Sequence, residues 1–302
     1  MSAVVVSARP EAKSAAMLLA AGVLWGTGGL AGSLLAARGG LHPLSIATYR
    51  LLLGGFLTVL LLAATGGLRG LVRTPEVLRR ILLAGSLLAV FQASYFIAMV
   101  LTSVSVATMV TIGSVPVFVA VSTALTERRR PANSAIASLL AALLGLVLLT
   151  WSPGAAGDQA QLLAGLVFAL LAGGGFAALT LFTRHAVAGL DPLRTTAFGC
   201  LAGGLLLLPF ALWLGMWLPV DPEVVALALY LGAVPTALAY AAYFGGLRGA
   251  HPVLAALAAL LEPLTAALLA AVLLDERLGV TGWCGAGLLV LALAVSYWRP
   301  RH

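Results

Sequence analysis

Long apolar stretches follow one another along almost the whole chain, separated by short polar connections. Each stretch is about 20 residues long, which is the length that a helix needs to cross a hydrocarbon core of about 30 Å. Strands of a membrane barrel would instead appear as alternating segments of about ten residues. The pattern predicts an all-α membrane protein with ten transmembrane helices, named spans 1 to 10, at Ala15–Ala37, Pro43–Ala64, Val77–Leu101, Val104–Leu125, Asn133–Trp151, Leu162–Phe182, Pro192–Met216, Val224–Leu247, Pro252–Leu274 and Gly279–Trp298.

The composition supports this class and argues against an enzyme. Hydrophobic residues make up 62% of the chain and charged residues 9%, and the mean hydropathy is +1.09. A soluble domain with these values would expose large apolar patches. Lys13 is the only lysine, which excludes a phosphate-binding loop of the nucleotidase type, and the histidines form no ligand cluster. We expect no cofactor, no metal and no catalytic residue.

The basic residues are distributed unevenly between the predicted connections. If the N-terminus is cytoplasmic, 14 of the 17 basic residues fall on the inner side, the outer loops keep Arg38 and Arg277, and Arg50 lies inside span 2. Positive residues are enriched on the cytoplasmic side of membrane proteins. The distribution predicts that both termini are cytoplasmic, and it explains the net charge of +7 without a nucleic-acid partner.

The chain repeats itself at a spacing of almost half its length. Residue pairs separated by 149 or 147 positions match: Gly26 and Gly175, Pro43 and Pro192, Gly85 and Gly232, Pro116 and Pro263. The predicted parts are a cytoplasmic N-terminal tail (1–14), a first repeat (15–153), an outer loop (154–161), a second repeat (162–300) and a C-terminal tail (301–302). Because each repeat holds five spans, the second must enter the membrane from the opposite side. Such inverted-topology repeats are typical of transporters, and duplication retained for folding alone is the alternative.

Several short motifs occur in the order that one transporter family shows. They are Trp25-Gly26 in span 1, Pro43 with Arg50 in span 2, Pro116 followed by Glu127-Arg128, Gly145 in span 5, Pro263 in span 9, and Glu276-Arg277-Leu278 before span 10. With these motifs the chain resembles the EamA-type transporters of the drug/metabolite transporter superfamily over essentially its whole length. The family's usual Gly-Glu pair is replaced here by Thr126-Glu127 and Asp275-Glu276, which we expect to affect loop packing more than substrate choice.

The resemblance implies a ten-helix secondary carrier without ATP hydrolysis, whose central cavity is lined mainly by spans 1, 3, 4, 6, 8 and 9. It further implies export of small metabolites across a bacterial inner membrane. Amino acids come first, since the chain looks most similar to bacterial exporters of aromatic amino acids. The expected partners are a small-molecule substrate and the lipid bilayer, and a monomer is one option for the oligomeric state.

Two charged side chains lie deep inside predicted spans, where such groups are costly and usually have a function. Glu262 lies near the middle of span 9, directly before Pro263, which removes a backbone donor and bends or opens a helix. Glu262 is a candidate for proton coupling or for holding a substrate ammonium group; a hydrogen bond to a neighbouring helix is the alternative. Arg50 is interpreted as a structural or gating residue in preference to a contact for a substrate carboxylate. Pro116 and Pro263 complete the candidate gating residues.

Aromatic and amide side chains form the second set of candidates for substrate binding. They are Trp25, Gln92, Tyr95, Phe176, Tyr240 and Tyr243. Trp25, Gln92 and Tyr240 lie deepest in their spans. A glutamine side chain in hydrocarbon needs a hydrogen-bond partner or a polar cavity. Together with Glu262 the set would suit a zwitterion with an apolar or aromatic side chain. It would equally suit an organic cation held by cation–π contacts.

The predicted mechanism is alternating access. A substrate binds between the two repeats beside Trp25, Gln92, Tyr240 and Glu262, and the halves rock about the two prolines and the glycine-rich stretches of spans 1 and 6. Small organic cations, including drugs, are the alternative substrate class. A channel is a more distant alternative, because the chain shows no pore-loop sequence and no repeated acidic positions along one helix. Proton antiport and facilitated diffusion are both left open.

Overall fold

The computed structural model describes residues 8–71, 74–128, 140–141, 144–145, 148, 159–183, 188–247, 252–276 and 279–298. The regular elements in this part of the chain are helices. They are α1 (Ala8–Gly39), α2 (Pro43–Ala64), α3 (Pro75–Leu101), α4 (Val104–Glu127), α5 (Gln159–Thr183), α6 (Pro192–Trp213), α7 (Pro222–Gly232), a π-helical segment (Ala233–Leu238), α8 (Ala239–Leu247), α9 (Pro252–Leu273) and α10 (Val280–Trp298).

Seven of the described helices are long and apolar enough to cross a membrane. Six of them are α1 to α6, and the seventh is the continuous helix Pro222–Leu247, which consists of α7, the π-helical segment and α8. The apolar helices α9 and α10 follow with 22 and 19 residues. Predicted span 5 (Asn133–Trp151) lies largely outside the described residues. A helical membrane protein is thus confirmed, while the count of ten spans and their orientation stay predictions.

Proline and a capping side chain define where four of the helices begin. Proline occupies the first turn of α2, α3, α6 and α7, where a backbone N–H has no partner inside the helix. The residue before the proline supplies an acceptor. The Asp191 carboxylate accepts from the Arg194 N–H at 2.9 Å, and the Thr74 hydroxyl oxygen accepts from the Val77 N–H at 3.3 Å. These local signals explain why the helices begin at or near the predicted positions.

The two halves of the chain interleave. In the first half α1 contacts α8 and α9 of the second half, whereas α5 of the second half contacts α3 and α4 of the first. Helix α2 packs against α6 and against the π-helical segment, and α3 also packs against α6. When spans 1 to 4 are exchanged with spans 6 to 9, the contact between α2 and α6 maps onto itself and each of the others maps onto another member of the set. The packing therefore follows the twofold pattern that the sequence repeat indicates.

Glycines allow helices from the two halves to approach to backbone distance. A Cβ added to Gly26 of α1 would lie 2.7 Å from the Glu262 carbonyl oxygen of α9. A Cβ added to Gly203 of α6 would lie 2.6 Å from the Gly85 carbonyl oxygen of α3. Both separations are too short for a real side chain, so these contacts require glycine. Within lipid, close packing at small residues is a main source of helix association.

Gly26→Ala is expected to lower the thermal stability of the purified protein by roughly 1–3 kcal/mol, because the added methyl group meets a backbone oxygen that cannot move aside. Gly287→Ala is the matched control, since this helical glycine of α10 has no atom within 4 Å of an added Cβ. Melting can be followed in detergent by the reactivity of the buried Cys200 thiol. Equal melting temperatures for the two variants would contradict the close contact.

Candidate functional site

Four aromatic side chains meet between α1 and α8, and they are called the aromatic cluster here. The Trp25 ring centre lies 5.4 Å from that of Tyr240, edge to face, and 4.9 Å from that of Tyr243. The Phe244 ring centre lies 6.1 Å and 5.4 Å from the centres of the two tyrosine rings. All four residues are half-buried, while the Trp25 Nε1–H is buried and has no hydrogen-bond partner among the described residues. Sequence reasoning predicted the first three residues and missed Phe244.

Glu262 lies beside the aromatic cluster, on α9. The absence of a side chain at Gly26 allows the Glu262 backbone to contact α1 next to Trp25. Glu262 and Tyr240 are surrounded by protein and lie within electrostatic range of each other, yet each keeps part of its surface accessible. The region between α1, α8 and α9, called the cleft here, therefore combines aromatic rings with a carboxyl group.

Arg50 of α2 brings a positive charge to the same region. Its side chain is 6% exposed, and its Nε–H donates to Thr236 Oγ1 at 3.3 Å. The guanidinium carbon lies 5.9 Å from the centre of the Phe96 ring, and Nη1 would lie 3.2 Å from a Cβ at Gly28. Arg50 is within electrostatic range of Glu262, but the ion pairs of the described residues lie elsewhere. Arg50 thus contacts elements of both halves.

The hydrogen-bond partner of Arg50 belongs to the π-helical segment in the middle of predicted span 8. Pro235 in this segment has no N–H, so the regular α-helical hydrogen bonds cannot continue through it. The Thr236 hydroxyl donates to the Leu231 carbonyl oxygen at 2.9 Å, and its oxygen accepts from Arg50. π-helical turns occur frequently at functional sites. Sequence reasoning missed Thr236, although the proline beside it could have indicated an irregular turn.

The candidates on α3 and α5 lie in different environments. Tyr95 is buried and lies within electrostatic range of Arg50. Phe176 of α5 contacts Phe91 of α3, with 5.1 Å between the ring centres. Gln92 is 2% exposed, and in the part of the chain that the structure describes its Oε1 has no hydrogen-bond partner. The structure therefore places Tyr95 in the region of Arg50, whereas Phe176 packs on α3 and Gln92 offers almost no accessible surface.

The two candidate gating prolines lie inside helices of opposite halves. Pro116 lies in α4, and Pro263 is buried in α9 directly after Glu262. Within the described ranges, no group of three or more His, Cys, Asp or Glu side chains could hold a metal ion. The cleft instead brings together ring surfaces and a carboxyl group. It can hold a small molecule that combines an apolar part with a positively charged group.

One further contact joins the two halves, at an end of the bundle. Glu276 follows α9, and its two carboxyl oxygens accept from the first backbone N–H groups of α4. The Val104 N–H donates to Oε1 at 2.7 Å and the Ser105 N–H donates to Oε2 at 3.1 Å. Unpaired N–H groups and the helix dipole favour a carboxylate at this position. The sequence indicated an effect of the Asp275-Glu276 pair on loop packing and did not indicate this partner.

Comparison with known proteins reveals clear relatives. The EamA-like transporter family matches the chain twice, over residues 12–151 and 163–298. The chain is 31% identical over 287 residues to the uncharacterized transporter YwfM of Bacillus subtilis (strain 168). The matched region covers 94% of this chain and 93% of that protein. The chain is 30% identical over 219 residues to an uncharacterized transporter of Archaeoglobus fulgidus, which covers 70% of this chain and 75% of that protein.

A solved crystal structure shares the fold. It matches with a TM-score of 0.64 at 22% sequence identity, over 94% of this chain and 96% of the other. Identity at this level shows the fold alone. The two family matches, by contrast, cover most of the chain and coincide with its two halves. The chain therefore belongs to the EamA-like transporter family of the drug/metabolite transporter superfamily, as a multi-pass membrane transporter and not an enzyme.

Proposed function

We propose that this protein is a secondary carrier that exports small metabolites by alternating access, with neutral and aromatic amino acids as its substrates. The observation that carries the proposal is the cleft between α1, α8 and α9, where the aromatic cluster lies beside Glu262, a half-buried residue among the helices. The proposed setting is a bacterial inner membrane with both termini in the cytoplasm.

The groups in the cleft match the parts of an amino acid. The Glu262 carboxylate can hold an ammonium group by a charge-assisted hydrogen bond. The rings of Trp25, Tyr240 and Tyr243 can pack against an apolar or aromatic side chain, and an aromatic pair contributes about 0.5–1.5 kcal/mol beyond the area that it buries. The Trp25 Nε1–H is buried and has no hydrogen-bond partner among the described residues; once a movement of the halves uncovers it, this group would donate to the substrate carboxylate.

Both halves contribute to the cleft, as alternating access requires. Trp25 belongs to the first half, whereas Tyr240 and Glu262 belong to the second. A substrate that contacts all three is released when the halves change their relative orientation. The same cleft can therefore face the cytoplasm in one state and the opposite side of the membrane in the other.

The proposed moving parts are the two prolines, Arg50 and the glycine-rich stretches of α1 and α5. Gly26 of α1 contacts the α9 backbone, and a Cβ on Gly173 of α5 would lie 2.7 Å from the Thr111 carbonyl oxygen of α4. These equivalent contacts have no intervening side chains, so the helices can change their crossing angle with little repacking. Arg50 would transmit the movement, because it binds the π-helical segment of the other half.

Small organic cations, including drugs, are the second candidate substrate class. The observation that favours them is the number of aromatic rings around the cleft, because a cation within about 6 Å of a ring centre is attracted to its face. Such a substrate would use the rings and Glu262, and it would need no donor for a carboxylate. A channel is the third and most distant candidate; it would conduct single-channel currents and show no counter-flow.

Counter-flow in proteoliposomes tests the proposal. Vesicles are preloaded with one unlabelled amino acid at a time, the entry of labelled phenylalanine or threonine is followed, and tetraalkylammonium ions serve as competitors. We expect the labelled amino acid to accumulate transiently in vesicles that contain the wild type. Trp25→Ala is expected to lower the rate of this accumulation about tenfold, because it removes an aromatic contact of about 1.4 kcal/mol. Trp213→Ala is the matched control, because that side chain is 84% exposed.

Other outcomes would change the proposal in distinct ways. Accumulation of the cations, without counter-flow of any amino acid, would establish small organic cations as the substrate class. Currents without counter-flow would identify a channel. Equal slowing by Trp25→Ala and Trp213→Ala would show that the aromatic cluster is not the binding site.

A further inference from the structure

We propose that Glu276 is a latch that closes the transporter at one end of the bundle and must release α4 before the protein opens there. This role rests on the alternating access proposed above, although Glu276 lies outside the substrate cleft. It is a gating residue that positions α4, and it makes no contact with substrate. The inference rests on the hydrogen bonds between Glu276 and the first turn of α4.

The first turn of α4 is capped by both halves of the chain. The initial N–H groups of a helix have no partner inside it. Ser103, in the same half, accepts from the Val106 N–H through its side chain at 3.2 Å. Glu276, in the other half, accepts from the Val104 and Ser105 N–H groups. Opening the bundle at this end therefore exposes two N–H groups and one carboxylate together.

The loop after α9 holds the carboxylate in its capping position. Asp275 has a φ of 53°, in the left-handed region that favours glycine and that aspartate tolerates. The Glu276 N–H donates to the Ala270 carbonyl oxygen at 3.2 Å, which fixes the backbone directly before the capping side chain. The loop is thus arranged to present Glu276 to α4.

The remaining contacts make this end of α4 a boundary between moving parts. Helix α4 packs against α9 and α10 of the second half as well as against α5. The corresponding acid of the first half, Glu127, is the last residue of α4, whereas Glu276 lies beyond the end of α9. Charge-assisted hydrogen bonds suit a latch, because water can replace both partners when the end opens.

Cysteine labelling in nanodiscs tests the latch without any substrate. Ala107, in the first turn of α4, is 0% exposed, so an Ala107→Cys thiol reports opening at this end. Cys284 is replaced by serine, and the buried Cys200 is kept as an internal monitor of folding. A polar maleimide reaches both faces of a nanodisc, and peptide mass mapping separates the two labelled sites.

We expect Glu276→Gln and Glu276→Ala to raise the labelling rate of the Ala107→Cys site about tenfold, since each variant loses the charged acceptor, while Cys200 stays unlabelled. Asp275→Asn is the matched control: it removes the same charge one residue away, and asparagine also adopts the left-handed conformation. Unchanged labelling of the Ala107→Cys site in both Glu276 variants would overturn the latch. Faster labelling of Cys200 would also overturn it, because that result would show that Glu276 is needed for folding. Failure of amino-acid counter-flow would leave the labelling result unaffected.

Discussion

Replacing Glu262 with glutamine is expected to raise the KM for a neutral amino acid about tenfold or more, and to remove almost all inhibition by tetraalkylammonium ions. A hydrogen bond to a charged group contributes about 1.5–3 kcal/mol, which corresponds to at least about tenfold in affinity. An amino acid that loses this bond still has the rings of Trp25, Tyr240 and Tyr243, and its carboxylate can still accept hydrogen bonds. A cation keeps only the ring faces. Initial counter-flow rates over a range of substrate concentrations measure both effects.

Glu223→Gln is the matched control for this prediction, because it removes the same charge from an exposed side chain that is paired with Arg38. An unchanged KM and full inhibition in Glu262→Gln would contradict the assignment of this carboxylate to the ammonium group. Proton coupling has a separate readout. If Glu262 also carries a coupled proton, an imposed pH gradient drives accumulation by the wild type and not by Glu262→Gln.

Local sequence signals predicted most of the described helices. The thickness of the bilayer sets the length of an apolar run, and prolines such as Pro43 and Pro192 indicate first turns whose N–H groups lack partners. The helices of both halves accordingly begin close to the predicted positions. Which side of the membrane each loop faces follows from the charge asymmetry, and it stays a prediction, as does the fifth span.

The candidate site was predictable in composition more than in arrangement. Trp25, Tyr240 and Glu262 are unusual residues for the middle of a span, so the cost of burying them is visible in the sequence. The residues that lie next to them in space are not visible in the sequence. Arg50 and Thr236 are separated by 186 residues along the chain, and their contact depends on how α2 packs against the other half. A single sequence carries no direct record of such pairs.

The irregular features escaped prediction for a related reason. The pattern of span 8 is apolar from end to end, and apolar periodicity does not distinguish an α-helical turn from a π-helical one. Glu276 looked like a loop residue, because its partners are backbone N–H groups of a helix that begins 172 residues earlier. Backbone partners leave no sequence signature. The features that join the halves are therefore the ones that required the structure.

Arg50→Ala is expected to abolish counter-flow and to lower stability by about 3 kcal/mol. Arg50 is 6% exposed and supplies the donor for Thr236 Oγ1. Its removal leaves a void between Gly28 and Phe96 and takes away a positive charge that lies within electrostatic range of Glu262. Counter-flow rates and melting temperatures of the purified variant measure the two effects. Arg79→Ala, at an exposed position of α3, is the control for loss of an arginine.

The charge of Arg50 and its hydrogen-bond geometry can then be separated. Arg50→Lys keeps the positive charge but lacks the planar fork and the Nε–H that bonds Thr236. If movement is transmitted through that bond, Arg50→Lys and Thr236→Val each lose most of the counter-flow, and the double variant loses little more, because both single changes break the same interaction. If only the charge matters, Arg50→Lys transports normally and Thr236→Val is neutral. We expect the first result, because the hydrogen bond links α2 to the segment where span 8 departs from regular α-helical geometry. Transport at the wild-type rate by Arg50→Ala would exclude a role for the charge and for the hydrogen bond.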